Sequence, residues 1–102
     1  MNIISEGPSA VTVTGDIRTI ADYLEIKKIL KEMADNGAEA IALKIKDSPS
    51  INSALIGFLL RLTHEDKVRL SLQAENDKLY NMLRIMNLID IFYVTGTVGG
   101  RK

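Results

Sequence analysis

Three stretches of the chain alternate apolar and polar residues with a period of two, and this alternation narrows the possible folds more than any other feature. Val11 and Val13 alternate with Thr12 and Thr14 before Gly15. Ile41, Leu43 and Ile45 alternate with Ala42, Lys44 and Lys46, and Val68, Leu70 and Leu72 alternate with Arg69, Ser71 and Gln73. A period of two puts every second side chain on one face of a strand, so each stretch has one dry and one wet face. A sheet covered on both sides would instead carry continuous apolar strands. The expected architecture is a two-layer α/β fold: a mixed sheet of four to five strands with helices packed on one face only.

The segments between these strands repeat at helical spacing. Thr19 and Asp22 have the spacing of a capping box, and Tyr23, Ile26, Leu30, Met33 and Ala34 then form one apolar stripe that stops at Asn36-Gly37. A second helix is expected from Ser53 to about Thr63. A third begins near Asn76, with Leu79, Met82, Leu83 and Met86 as its core positions. Ile3 and Ile4, before the Gly7-Pro8 turn, are the candidate hairpin partner of the first alternating strand, and Ile91 to Val94 reads as a last strand. The order is β-β-α-β-α-β-α-β, a single domain with its core over about residues 3–94 and a flexible glycine-rich tail over 95–102. A chain of 102 residues is one domain, able to bury roughly two thirds of its unfolded surface.

Charge and composition exclude several functions. Thirteen Lys and Arg balance thirteen Asp and Glu, which disfavours nucleic acid and polybasic membrane binding. With no cysteine and one histidine, His64, there is no thiolate chemistry, disulfide framework or two-histidine metal site. No basic-then-apolar leader or long apolar run is present, so a soluble cytoplasmic protein without metal or cofactor is expected, and an enzyme is disfavoured.

Chemistry concentrates in one stretch, from Asp47 to Leu60. A strand ends, a hydroxyl-rich turn follows, and a helix starts at Asn52 or Ser53, where unpaired N–H groups and the positive end of the helix dipole meet. Asn52 and Ser53 are also preferred N-cap residues, which alone accounts for their presence. The helix itself is apolar around most of its circumference, through Ala54, Leu55, Ile56, Phe58, Leu59, Leu60 and Leu62. Two arrangements satisfy that: a central helix between two siblings, or one that keeps a face for a partner.

These residues resemble a known family. The Gly15-Asp16-Ile17 step after the second strand, the run Ile51-Asn52-Ser53-Ala54-Leu55-Ile56-Gly57-Phe58-Leu59-Leu60 and the closing Leu83-Arg84-Ile85-Met86-Asn87-Leu88-Ile89-Asp90-Ile91-Phe92 are together similar to a STAS domain of the anti-sigma factor antagonist type. The resemblance spans about Val11 to Val94. It implies a partner switch without catalysis by this chain. An anti-sigma factor that is also a serine kinase would phosphorylate Ser53, a metal-dependent serine phosphatase would reverse this, and only the unmodified form would bind the anti-sigma factor. The binding surface it implies is Pro49, Ser50, Ile51, Asn52, Ser53, Ala54, Leu55, Ile56 and Phe58.

The chain departs from the family pattern in charge. Asn52 stands where Asp is common before the serine, Arg18 and Lys44 stand at frequently acidic positions, and the larger Leu55 occupies a site usually small. Replacement of the Asp by Asn52 favours a second reading, a scaffold or assembly subunit that uses the same surface constitutively. An anion-cradling enzyme ranks third, because no general base adjoins Ser53 in sequence. Ser48 and Ser50 read as turn formers, His64 as an exposed helix-end residue, Met82 and Met86 as core, and Lys27, Lys28 and Lys31, interleaved with Glu25 and Glu32, as a solvated helix face. The Gly96 to Lys102 tail lacks the spacing of a phosphate-binding loop.

Overall fold

The computed structural model describes residues 1–96. Strand β1 (Asn2–Ser5) pairs antiparallel with β2 (Ala10–Thr14), and β3 (Ala40–Ile45), β4 (Arg69–Ala74) and β5 (Val94–Gly96) follow in parallel, giving one five-stranded sheet in sequence order. Helices α1 (Ile20–Asp35), α2 (Ser53–His64) and α3 (Asp77–Ile85) are the crossovers. Parallel neighbours joined by crossovers of one hand, each strand added on the same side, leave every helix on the same face of the sheet.

The period-two alternation sets which face that is. Val11 pairs with Leu43, Ile41 with Leu70, Leu43 with Leu72 and Leu72 with Val94, so one row of buried aliphatic side chains lies beneath the helices. On the other face Ala42 and Ser71 are exposed and register together. From the helices, Ile26, Leu30, Leu55, Leu59, Leu62, Leu79 and Leu83 complete the core. The helices cover one face, as the alternation predicts.

The capping box is formed. Thr19 Oγ1 accepts from the Asp22 N–H at 3.1 Å, and Asp22 Oδ2 accepts from the N–H groups of Arg18 and Thr19 at 3.0 and 3.2 Å. Those two backbone donors, Arg18 first, hold the Asp22 carboxyl below its ordinary value. A carboxyl lowered on folding adds stability above the unfolded carboxylate range, near pH about 4, and loses it as pH falls through the lower folded value. An acid titration followed by circular dichroism is expected to show this loss in the parent chain and less of it in Asp22→Asn. At the other end of α1, Gly37 takes φ +98° and its N–H donates to the Ala34 carbonyl, which ends the helix.

Three expectations are corrected. Residues 91–93 are a turn rather than strand: the Phe92 N–H donates to the Leu88 carbonyl, the Val94 N–H to Ile89, and Tyr93 sits at φ +46°. The last strand therefore starts at Val94, and Thr95 and Gly96, expected in the tail, pair with Gln73 and Ala74. The rest of that tail, 97–102, lies outside the described residues. Met86 caps α3 and is 45% exposed, and Met82 is only half-buried, so Leu79 and Leu83 carry the burial of this helix.

Candidate functional site

The loop after β2 and the turn after β3 lie side by side at the carboxyl ends of two parallel strands. Parallel pairing puts both loops at that edge, and side chains from the second bind the backbone of the first. Ser48 is 1% exposed; its Oγ accepts from the Ile17 N–H at 3.0 Å and donates to the Ser50 carbonyl at 2.6 Å. Asp47 Oδ2 accepts from the N–H of Gly15, at φ +89°, at 3.2 Å. Residues 15–18 and 47–52 thus form one cross-linked corner. Ser48 is more than a turn former, and sequence reasoning missed this because a Ser-Pro step reads as a surface turn.

Asn52, not Ser53, is the N-cap of α2. Its Oδ1 accepts from the Leu55 N–H at 2.9 Å and its carbonyl accepts from Ile56 at 3.1 Å. Ser53 is the first helical residue, exposed, and its hydroxyl has no hydrogen-bond partner among the described residues. Capping and hydroxyl chemistry therefore fall on separate side chains. No acidic residue lies in the first turn of α2, so the positive end of the helix is left without a charged counterpart on its own helix.

The expected binding residues divide into two groups. Pro49, Ser50 and Ser53 are exposed, and Asn52 and Ala54 are half-buried. Ile51, Leu55, Ile56 and Phe58 are all buried in the core, so their side chains support the surface from beneath and do not present themselves to a partner. The near-continuous apolarity of α2 reflects its position against the sheet and beside α1. The outward stripe that remains is short and small: Ser53, Ala54, Gly57 and the half-buried Leu60.

A Cβ on Gly57 would meet no heavy atom within 4 Å, so nothing inside the fold requires glycine there. Gly57→Ala is expected to raise stability by about 0.5–1 kcal/mol, the usual helix-interior difference, read as a higher midpoint in thermal unfolding.

Of the departures in charge, Arg18 stands at the corner, largely exposed, with its Nε 3.7 Å from Asp16 Oδ2. Lys44 lies elsewhere. It registers with Thr12 and Gln73 on the open face of the sheet and pairs with Glu75 at 3.8 Å. His64 is the exposed last residue of α2. No cluster of three His, Cys, Asp or Glu suited to a metal occurs among the described residues, and no described helix is long and apolar enough to cross a membrane.

The chain is a two-layer α/β fold, a sheet in sequence order with three helices on one face, and it exposes a serine where the second helix starts. Its structure is similar to that of an anti-sigma factor antagonist from Mycobacterium paratuberculosis, with a TM-score of 0.71, 13% sequence identity, and coverage of 96% of this chain and 86% of that one. No family model matches the sequence. No curated protein matches it either.

Proposed function

We propose that this chain is a regulatory, non-enzymatic interaction module of the cytoplasm that binds a kinase-type anti-sigma factor through the Ser53 corner. Phosphorylation of Ser53 by that partner releases it, and a metal-dependent serine phosphatase resets the chain. The observation that carries this reading is the separation of tasks at the start of α2: Asn52 caps, and Ser53 is exposed with its hydroxyl unengaged among the described residues. A phosphate of about −1.5 to −2 charges at this position faces the positive end of the helix and is tolerated there with about 0.3–1 kcal/mol of stabilisation. Pressed unpaired into an interface, the same charge costs several kcal/mol, and each 1.4 kcal/mol is tenfold in affinity. One modification thus abolishes docking and leaves the fold intact.

The neutral Asn52 and the cationic Arg18 favour a second reading, a scaffold that uses the same corner without modification. Intact-mass measurement on protein from its native cell separates the two. The switch predicts a species heavier by about 80 Da, one phosphate, that is absent in Ser53→Ala. Ser53→Asp is expected to weaken partner binding by about a hundredfold with little change in unfolding midpoint. Unchanged binding by Ser53→Asp would leave the constitutive scaffold as the function.

A further inference from the structure

Strand β1 forms one edge of the sheet, and its backbone faces outward at two residues. On β2 the carbonyls of Ser9 and Val13 turn toward β3, where they accept from the N–H groups of Ala42 and Lys46. Peptide groups alternate sides along a strand, so Ala10, Thr12 and Thr14 turn theirs toward β1, opposite Glu6, Ile4 and Asn2. The Glu6 N–H donates to the Ala10 carbonyl at 2.7 Å, which fixes the same phase from the other strand. Ile3 and Ser5 lie between these positions. Their N–H and C=O groups therefore point away from the sheet, and no described residue meets them.

Exposed edges are usually blunted by charge, proline, a bulge or shortness. The four residues of β1, Asn-Ile-Ile-Ser, carry no charge and no proline, and they register with β2 without a bulge. The neighbouring Glu6 carboxylate is drawn inward, since its Oε1 accepts from Thr12 Oγ1 at 2.7 Å. Ile4 registers with Thr12 on the open face of the sheet and is 49% exposed. This edge is thus left with free backbone groups and an aliphatic side chain beside them.

We propose that β1 pairs antiparallel with β1 of a second copy of this chain, about a two-fold axis at Ile4, to give one continuous sheet across both copies. The phase of the hydrogen bonds selects the register. With Ile4 opposite Ile4 of the copy, Ile3 falls opposite Ser5 and Ser5 opposite Ile3, so every outward N–H and C=O of the two residues is used. Ile4 is then the non-hydrogen-bonded pair at the axis, with Cα atoms about 4.5 Å apart, and the two exposed side chains cover each other. Asn2 falls opposite Glu6, so no like charges meet. Moving the axis to Ile3 or Ser5 would set Ser5 opposite Met1 or Ile3 opposite Gly7, outside the strand, and would part the two Ile4 side chains. An extended segment of another protein would satisfy the backbone, but a copy of this chain supplies the matching spacing of Ile3, Ile4 and Ser5 by symmetry. Two short strands bury less than the roughly 1,200 Å² of a standard interface, so the dimer is weak, with a dissociation constant on the order of 100 μM. The pairing goes beyond the reading of the Ser53 corner and does not rest on it.

Sedimentation equilibrium of the full chain from about 10 μM to about 1 mM is expected to pass from monomer to dimer and no further, because a two-fold pairing closes on itself. Ser5→Pro removes an outward N–H that the fold does not use, and Ile4→Lys sets two positive charges at the axis. Each is expected to raise the dissociation constant at least about tenfold and to leave the unfolding midpoint little changed. Because the chain has no cysteine of its own, Ile4→Cys reports the register. Oxidation in air is expected to join Ile4→Cys into a disulfide-linked dimer, whereas Asn2→Cys, with its equivalents about 13 Å apart, stays largely unlinked. A chain still monomeric at about 1 mM overturns the inference. So does a dimer that both Ser5→Pro and Ile4→Lys retain, growth beyond the dimer, or Asn2→Cys linking as readily as Ile4→Cys. Ser53→Asp is expected to dimerise like the parent, so that failure of either reading leaves the other in place.

Discussion

Leu55→Ala is expected to destabilise the chain by about 2–5 kcal/mol, the range for a large aliphatic side chain removed from a packed core. The residue stands two positions after Ser53 and belongs to the run that the family resemblance assigns to partner binding, yet it is 0% exposed. Truncation leaves a cavity in the one buried cluster that also holds Ile26, Leu43 and Leu59. Chemical denaturation is the measurement. A small change in stability with a large loss of partner binding would place Leu55 at the interface, whereas the structure requires the opposite. Because a chain of this size has only about 5–15 kcal/mol of net stability, much of it would go with one side chain.

Ser48→Ala is expected to cost about 1–3 kcal/mol, since it leaves the buried Ile17 N–H without its acceptor and removes the donor to the Ser50 carbonyl. Its local effect distinguishes it from an ordinary core defect. Amide exchange is expected to rise at Ile17 and across 48–52 by more than at β3 or β4, because the hydroxyl ties two loops and not the sheet. Ser48→Thr, which keeps the hydroxyl, is expected to restore part of the protection. Uniform exchange throughout the chain in Ser48→Ala would mean that the two loops are held together by something else.

Much of the fold was legible because its signals are local. The alternation at Ile41, Leu43 and Ile45 gave the side of the sheet on which the helices lie, and Thr19 with Asp22 marked the start of α1. The last strand was misplaced because Ile91, Phe92 and Tyr93 have strand-forming side chains but follow closely on α3, where the Leu88 and Asp90 carbonyls accept the N–H groups of Phe92 and Tyr93 and hold them in a turn. Tertiary context overrode propensity there. At the site, Ser53 and Asn52 could be read from the strand-turn-helix pattern, although which of them caps α2 could not. The division of the following run into buried Leu55, Ile56 and Phe58 and outward Ala54 and Gly57 depends on where α1 lies, which no local pattern specifies. The buried hydroxyl of Ser48 depends on a backbone donor 31 residues earlier.

The order of the strands across the sheet is also their order along the chain. Every new strand finds its neighbour already made, and no segment must wait for a later one to be inserted beside it. During synthesis from the N-terminus, both loops of the Ser53 corner and the whole of α1 and α2 are free to fold once residue 64 has emerged, before α3 and β5 have emerged. The nine-residue α3 and the three-residue β5, which follow them in the chain, lie at the far edge of the sheet from β1 and β2. Fraying at that edge can therefore proceed while the corner of residues 15–18 and 47–53 keeps its shape.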